Sequence, residues 1–79
     1  MVNLSEILAD MARAIVDEPD SVSVTEKVTE NGTVVLELSV APDDMGKVIG
    51  RGGRIAKAIR QVMKVAANKC DKKVTVDIR

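Results

Sequence analysis

The chain contains no phenylalanine, tyrosine, tryptophan or histidine. Without imidazole there is no ordinary proton shuttle at neutral pH, no histidine metal ligand and no Ser/His or Cys/His nucleophile pair. What remains offers no constellation of acid, base, nucleophile and metal ligand, so an enzyme is not expected and no cofactor is implied. Without aromatics, the interior has to be built from Val, Ile, Leu, Met and Ala. The single cysteine, Cys70, has no partner for an internal disulfide and no CxxC or Cys/His neighbour at metal-site spacing, which fits a reducing compartment. It reads as a small apolar residue near a helix end. Long apolar runs are missing too. Nothing approaches the roughly 18 residues of a membrane span. Glu6, Asp10 and Arg13 interrupt the first apolar segment in a way that a signal-peptide core does not tolerate. A cytoplasmic protein with no membrane association is the expectation.

The sequence does hold a globular mixture, 46% hydrophobic and 30% charged, well away from the composition of disordered chains. Its 79 residues suit one domain, expected to span 1–79. A domain of this size buries only about 60% of its unfolded surface, which leaves little room for a deep enclosed site.

Asn3 followed by Glu6 has capping-box spacing, and Leu4, Ile7, Leu8, Met11, Ala14 and Ile15 recur at helical intervals, predicting a helix over residues 4–17. Asp17-Glu18-Pro19-Asp20 stops it. Val22, Val24 and Val28 alternate with polar residues, Asn31-Gly32 signals a hairpin, and Val34, Leu36, Leu38 and Val40 resume the alternation. The polar partners Glu37 and Ser39 predict a sheet covered by helices on one face only. Pro42-Asp43-Asp44 opens a very short helix, either aspartate being able to cap it, and Gly50 and Gly53 close it. Gly46 inside that helix suggests close helix packing. A longer helix is predicted over 54–68, then a strand carrying Val74, Val76 and Ile78. The order is α-β-β-α-α-β, an α+β fold with a three-stranded sheet.

Gly50-Arg51-Gly52-Gly53 lies between two predicted helices. Three glycines in four positions carry an entropic cost that stability alone does not explain. Glycines admit positive φ and let a ligand's phosphate approach the main chain, and the next helix offers unpaired amides and the positive end of its dipole. The nucleotide-binding loops do not fit: there is no Gly-Lys-Ser or Gly-Lys-Thr, and Ile55 stands where GxGxxG needs its third glycine. A tight helix-helix turn without a ligand would use the same glycines. Charge separates the two readings. Between Gly46 and Lys64 stand six basic residues, Lys47, Arg51, Arg54, Lys57, Arg60 and Lys64, and no acid, whereas residues 1–30 hold seven acids and two bases. Net charge is zero, but a basic patch surrounds the glycine loop. Lys57, Arg60 and Lys64 share one helix face, away from the expected core stripe of Ile55, Ile59, Val62 and Ala66. Counting Ala56, Ala58, Val65 and Ala67 as well, apolar residues cover more of this helix than one core face needs.

The segment Val48-Ile49-Gly50-Arg51-Gly52-Gly53-Arg54-Ile55 resembles the KH signature: an apolar pair, GxxG, and an isoleucine leading into a basic helix. The element order resembles the type II arrangement. Over its whole length the chain is similar to the stand-alone bacterial KH proteins of the KhpA kind. That resemblance implies binding of single-stranded RNA, the GxxG backbone holding the phosphates of roughly four nucleotides whose bases lie in an apolar groove between helices and a strand edge. Carried over, Gly50, Arg51, Gly52 and Gly53 form the clamp and Lys47 and Arg54 flank it. Lys57 adds charge, and Val48, Ile49 and Ile55 contribute to the groove or to its supporting core. No stacking aromatics are needed, but affinity should be modest and salt-sensitive. The resemblance also implies a homodimer, or a heterodimer with a larger Jag-type KH protein. The family-level role is an effect on RNA fate or translation, and on cell elongation or division. A protein-interaction module without RNA is the alternative.

Overall fold

Asn3 opens the first helix by accepting the Glu6 amide on its side-chain oxygen at 3.2 Å, so the expected N-cap is present. The computed structural model describes residues 3–79; the first two residues of the expected domain, Met1 and Val2, lie outside the described residues. Helix α1 covers Leu4–Ile15. It ends two residues before the sequence predicts, because Val16 turns to extended geometry and buries its side chain in the core. A single 3-10 turn, Pro19–Ser21, follows.

Strands β1 (Ser23–Val28) and β2 (Val34–Ser39) pair antiparallel, and β3 (Val74–Ile78) pairs parallel to β2, giving the order β1-β2-β3. The hairpin loop is longer than a two-residue turn. Thr29 N–H donates to Thr33 O and Gly32 N–H to Thr29 O, with Gly32 at φ 85°. This is the three-residue form that places glycine in the left-handed position. Val34, Leu36 and Leu38 point inward and are buried, while Val35 and Glu37 face the other way. On that outer face Glu37 lies between Lys27 at 3.4 Å and Arg79 at 2.7 Å. One face of the sheet is therefore covered by helices and the other carries charge. β1 follows the alternation less well. Glu26 stands opposite Leu36, its carboxylate accepting from the Ser5 hydroxyl of α1, and Val28 is largely exposed at the strand end.

After a 3-10 turn at Pro42–Asp44 comes the short helix α2, Met45–Ile49. Neither aspartate's side chain caps it, a correction to the sequence reading. The Asp44 carboxylate is buried and accepts the backbone amides of Asp17 and Glu18, at 3.2 and 3.1 Å. It stitches the end of α1 to the start of α2, which also explains why α1 stops early. Gly46 is corrected as well: a Cβ there would meet nothing within 4 Å, so no helix approaches it closely.

Helix α3 runs Arg54–Lys69, one residue past the predicted end. Its buried stripe is Ala56, Ile59, Met63 and Ala67, with Ile55 and Ala66 packed against the core and Val62 on the surface. The stripe is rotated from the predicted one because the small Ala56 and Ala67 face the packed interior. Leu8, Leu36, Leu38, Met63 and Val48 form the fully buried centre. Among the described residues no helix is long and apolar enough to cross a membrane.

Candidate nucleic-acid interface

The glycine loop is one 3-10 turn, Arg51–Gly53, between α2 and α3, closed by Gly53 N–H donating to Gly50 O at 3.1 Å. All three glycines have positive φ: 75° at Gly50, 66° at Gly52 and 77° at Gly53. They are needed for different reasons. A Cβ on Gly50 would come within 2.7 Å of Ile55 Cγ1, so the loop folds onto the first turn of α3. At Gly52 and Gly53 a Cβ would meet nothing within 4 Å. There the left-handed backbone alone asks for glycine, and the main chain faces open space. Gly53 is the N-cap of α3 and supplies no capping side chain, so the amides of the first turn and the positive dipole end of a 16-residue helix are free of an internal acceptor side chain.

Arg51, Arg54 and Lys57 are exposed around this turn. Further along the same helix, Arg60 Nε donates to the Val76 carbonyl at 3.4 Å. Here α3 and the edge strand β3 bound a groove of about 610 Å³, whose lining includes Arg60, Lys64, Lys72, Lys73 and Val76 and contains no carboxylate. From the glycine turn to Lys64 is about 15 Å at 1.5 Å per residue. An open turn of positive-φ glycines thus stands at the start of α3, and a basic groove floored by Ala67, Val74 and Val76 lies further along the same helix.

The apolar residues of the signature are divided by burial. Val48 is the fully buried residue of α2 and joins the core. Ile55 is half-buried against Gly50 and the core. Ile49 is 39% exposed, the most exposed of the three. Lys47 sits one turn before Gly50 but is engaged within the protein: its ammonium is hydrogen-bonded to the Asp17 carboxylate and lies 3.7 Å from that of Asp44. The Asp17 hydrogen bond is the main cause that raises the Lys47 pKa above its ordinary value, the charges of Asp17 and Asp44 adding to it against partial desolvation.

Sequence reasoning placed Arg60 and Lys64 in the basic patch without assigning them to the site, and missed Lys72 and Lys73. Those two lysines are close in sequence to a helix end and reach the groove only through the parallel crossover onto β2, which no local pattern reports. On the opposite side of α3, Met11, Ala14, Ile15, Ile55, Ala58 and Val62 line a shallow, nearly all-apolar groove of about 410 Å³ against α1. Val62 and Val65 are 48% and 55% exposed on that helix.

An α-β-β-α-α-β chain with a parallel final strand and a GxxG turn between its last two helices is a type II KH fold. The family model described as KhpA/KhpB, KH domain, matches residues 5–78, and the chain belongs to that family. It is 55% identical over 75 residues to the RNA-binding protein KhpA of Clostridium acetobutylicum, covering 95% of this chain and 99% of the relative. The KhpA of Clostridium perfringens is 52% identical over the same coverage. Among solved structures, an Aquifex aeolicus Era variant bound to GDP and aluminium fluoride superposes with a TM-score of 0.64 at 19% identity, over 95% of this chain and 29% of that one. Era in complex with MgGDPNP and a segment of 16S ribosomal RNA gives 0.59 at 20% identity, over 28% of its length. At that identity the likeness to Era is one of fold.

Proposed function

We propose that this chain is a non-enzymatic, sequence-tolerant binder of single-stranded RNA. Gly50, Arg51, Gly52 and Gly53 hold the backbone, Arg54 and Lys57 neutralise phosphates, and the bases lie along α3 toward the β3 edge. The observation that carries this reading is the open positive-φ turn at the free N-terminus of α3, in a stretch of six basic residues with no acid from Gly46 to Lys64. Anions are drawn to such a terminus by unpaired amides and the helix dipole together. Ile49, the most exposed of the signature's apolar side chains, is available for contact with a base, and Val48 joins the core with Ile55 packed against it. The names of the KhpA relatives agree with an RNA ligand. The double variant Arg51→Asp, Gly52→Asp tests the clamp. It places two carboxylates where phosphates dock, and aspartate tolerates the left-handed region better than most residues. Fluorescence anisotropy with a labelled oligoribonucleotide is expected to lose binding while thermal unfolding stays cooperative. Unchanged affinity would remove the clamp assignment.

A second feature favours self-association, or pairing with a larger Jag-type KH protein: the apolar face made by Ala58, Val62 and Val65 continues into the groove against α1. A single copy reading about four nucleotides binds weakly, and two linked copies gain by avidity. Cytoplasmic work on the fate or translation of transcripts, with an effect on cell elongation or division, follows from this reading. Recovery of a protein partner but no RNA after crosslinking in cells would instead favour a module that only recruits proteins.

A further inference from the structure

Lys47 is the basic residue of the loop region that the structure shows committed to carboxylates. It stands three residues before Gly50, hence on the same side of α2 as the start of the glycine turn. Two acids hold it, and they differ in kind. The Asp44 side chain is 3% exposed, and both its oxygens are occupied by the Asp17 and Glu18 amides. It is fixed. The Asp17 side chain is 78% exposed, just past the end of α1, where it is free to swing into solvent. An ion pair this open is weak and exchanges readily, since water and salt screen it. A phosphodiester carries the same single charge as the Asp17 carboxylate, so one can replace the other on the ammonium without leaving it unpaired.

We propose, building on the RNA-binding reading above, that Asp17 is an internal competitor for phosphate: its carboxylate occupies Lys47 and withholds it from the RNA that the glycine turn holds. Asp17 is then a positioning residue that lowers affinity and sets how many phosphates are neutralised. Its backbone amide separately serves the fold through Asp44, so changing the side chain alone separates the two roles.

The experiment is a salt series of anisotropy titrations with a short labelled single-stranded RNA, using the intact protein, Asp17→Asn, Lys47→Ala, the double variant, and Asp20→Asn as a control for loss of a nearby exposed charge. Asp17→Asn keeps the amide and the side-chain size. It is expected to bind about three- to fivefold tighter at low salt, the equivalent of one exposed ion pair. The slope of log K against log salt should steepen by about 0.7, the value for one more phosphate on a single strand. Both effects should vanish in the Lys47→Ala background and be absent in Asp20→Asn. A purely structural role for Asp17 would move thermal stability but not the salt slope. An unchanged slope, or an equal gain with Lys47 removed, overturns the proposal while leaving RNA binding in place. Absence of binding by the intact protein overturns the RNA reading and this proposal together.

Discussion

Gly46 and Gly50 stand four residues apart, at the start and the end of the same short helix, and sterics ask opposite things of them. Gly50 has φ 75° and ψ 172°, and an added methyl would strike Ile55. Gly50→Ala is expected to destabilise by about 2–4 kcal/mol, combining a backbone region reserved for glycine with overpacking. Gly46 is helical with open space around it, so Gly46→Ala is expected to stabilise by about 0.5–1 kcal/mol through the unfolded chain. Urea unfolding of the two variants checks both signs. Asp44 is the other residue on which the local structure turns. Asp44→Ala leaves two backbone amides without their acceptor and an ammonium without its fixed partner, at a cost of about 2–3 kcal/mol, read as a lower midpoint of thermal unfolding. The glycine turn was legible in the sequence because three glycines in four positions between two helices point to backbone at positive φ, which all three adopt. Asp44 was not. Its partners lie 27 and 26 residues away, and an Asp just after a proline at a helix start has a local use that the fold passes over.

At the scale of elements, α3 does three things around its circumference. One stripe, Ala56, Ile59, Met63 and Ala67, packs inward; a basic face overlooks β3; and Ala58, Val62 and Val65 face outward. On the proposed self-association through this face, Val62→Glu together with Val65→Glu is expected to shift sedimentation toward monomer with a stability change within about 0.5 kcal/mol, since exposed substitutions remove no core contact. Helix and strand existence followed from periodicity: the α1 pattern, the inward Val34, Leu36 and Leu38, and the hairpin at Gly32 all have local causes. The rotation of α3 did not, because alanine is neutral between core and surface in a sequence pattern, and only the close packing of Ala56 and Ala67 decides it. The strand order was likewise beyond local reading, and with it the arrival of Lys72 and Lys73 beside Arg60.

For the molecule as a whole, the zero net charge hides a segregation that the fold preserves. The acids of residues 1–30 lie on α1, the connectors and, at Glu26, on β1; Glu37 and Asp77 lie with Arg79 on the bare sheet face, and the loop and groove along α3 keep their bases. Electrostatics of this form act on phosphate backbones at short range and fade with salt. Three contacted phosphates would weaken binding by about tenfold or more between about 50 and 200 mM salt. On the proposed function, the open turn at the start of α3 holds an RNA backbone. This is tested most directly by titrating isotopically labelled protein with short single-stranded RNAs at these two salt concentrations and following the amides of Gly50 to Ile55 by NMR. Shifts concentrated at those amides and diminishing with salt are the predicted result. Silence there, from a protein whose spectrum shows it folded, would contradict it.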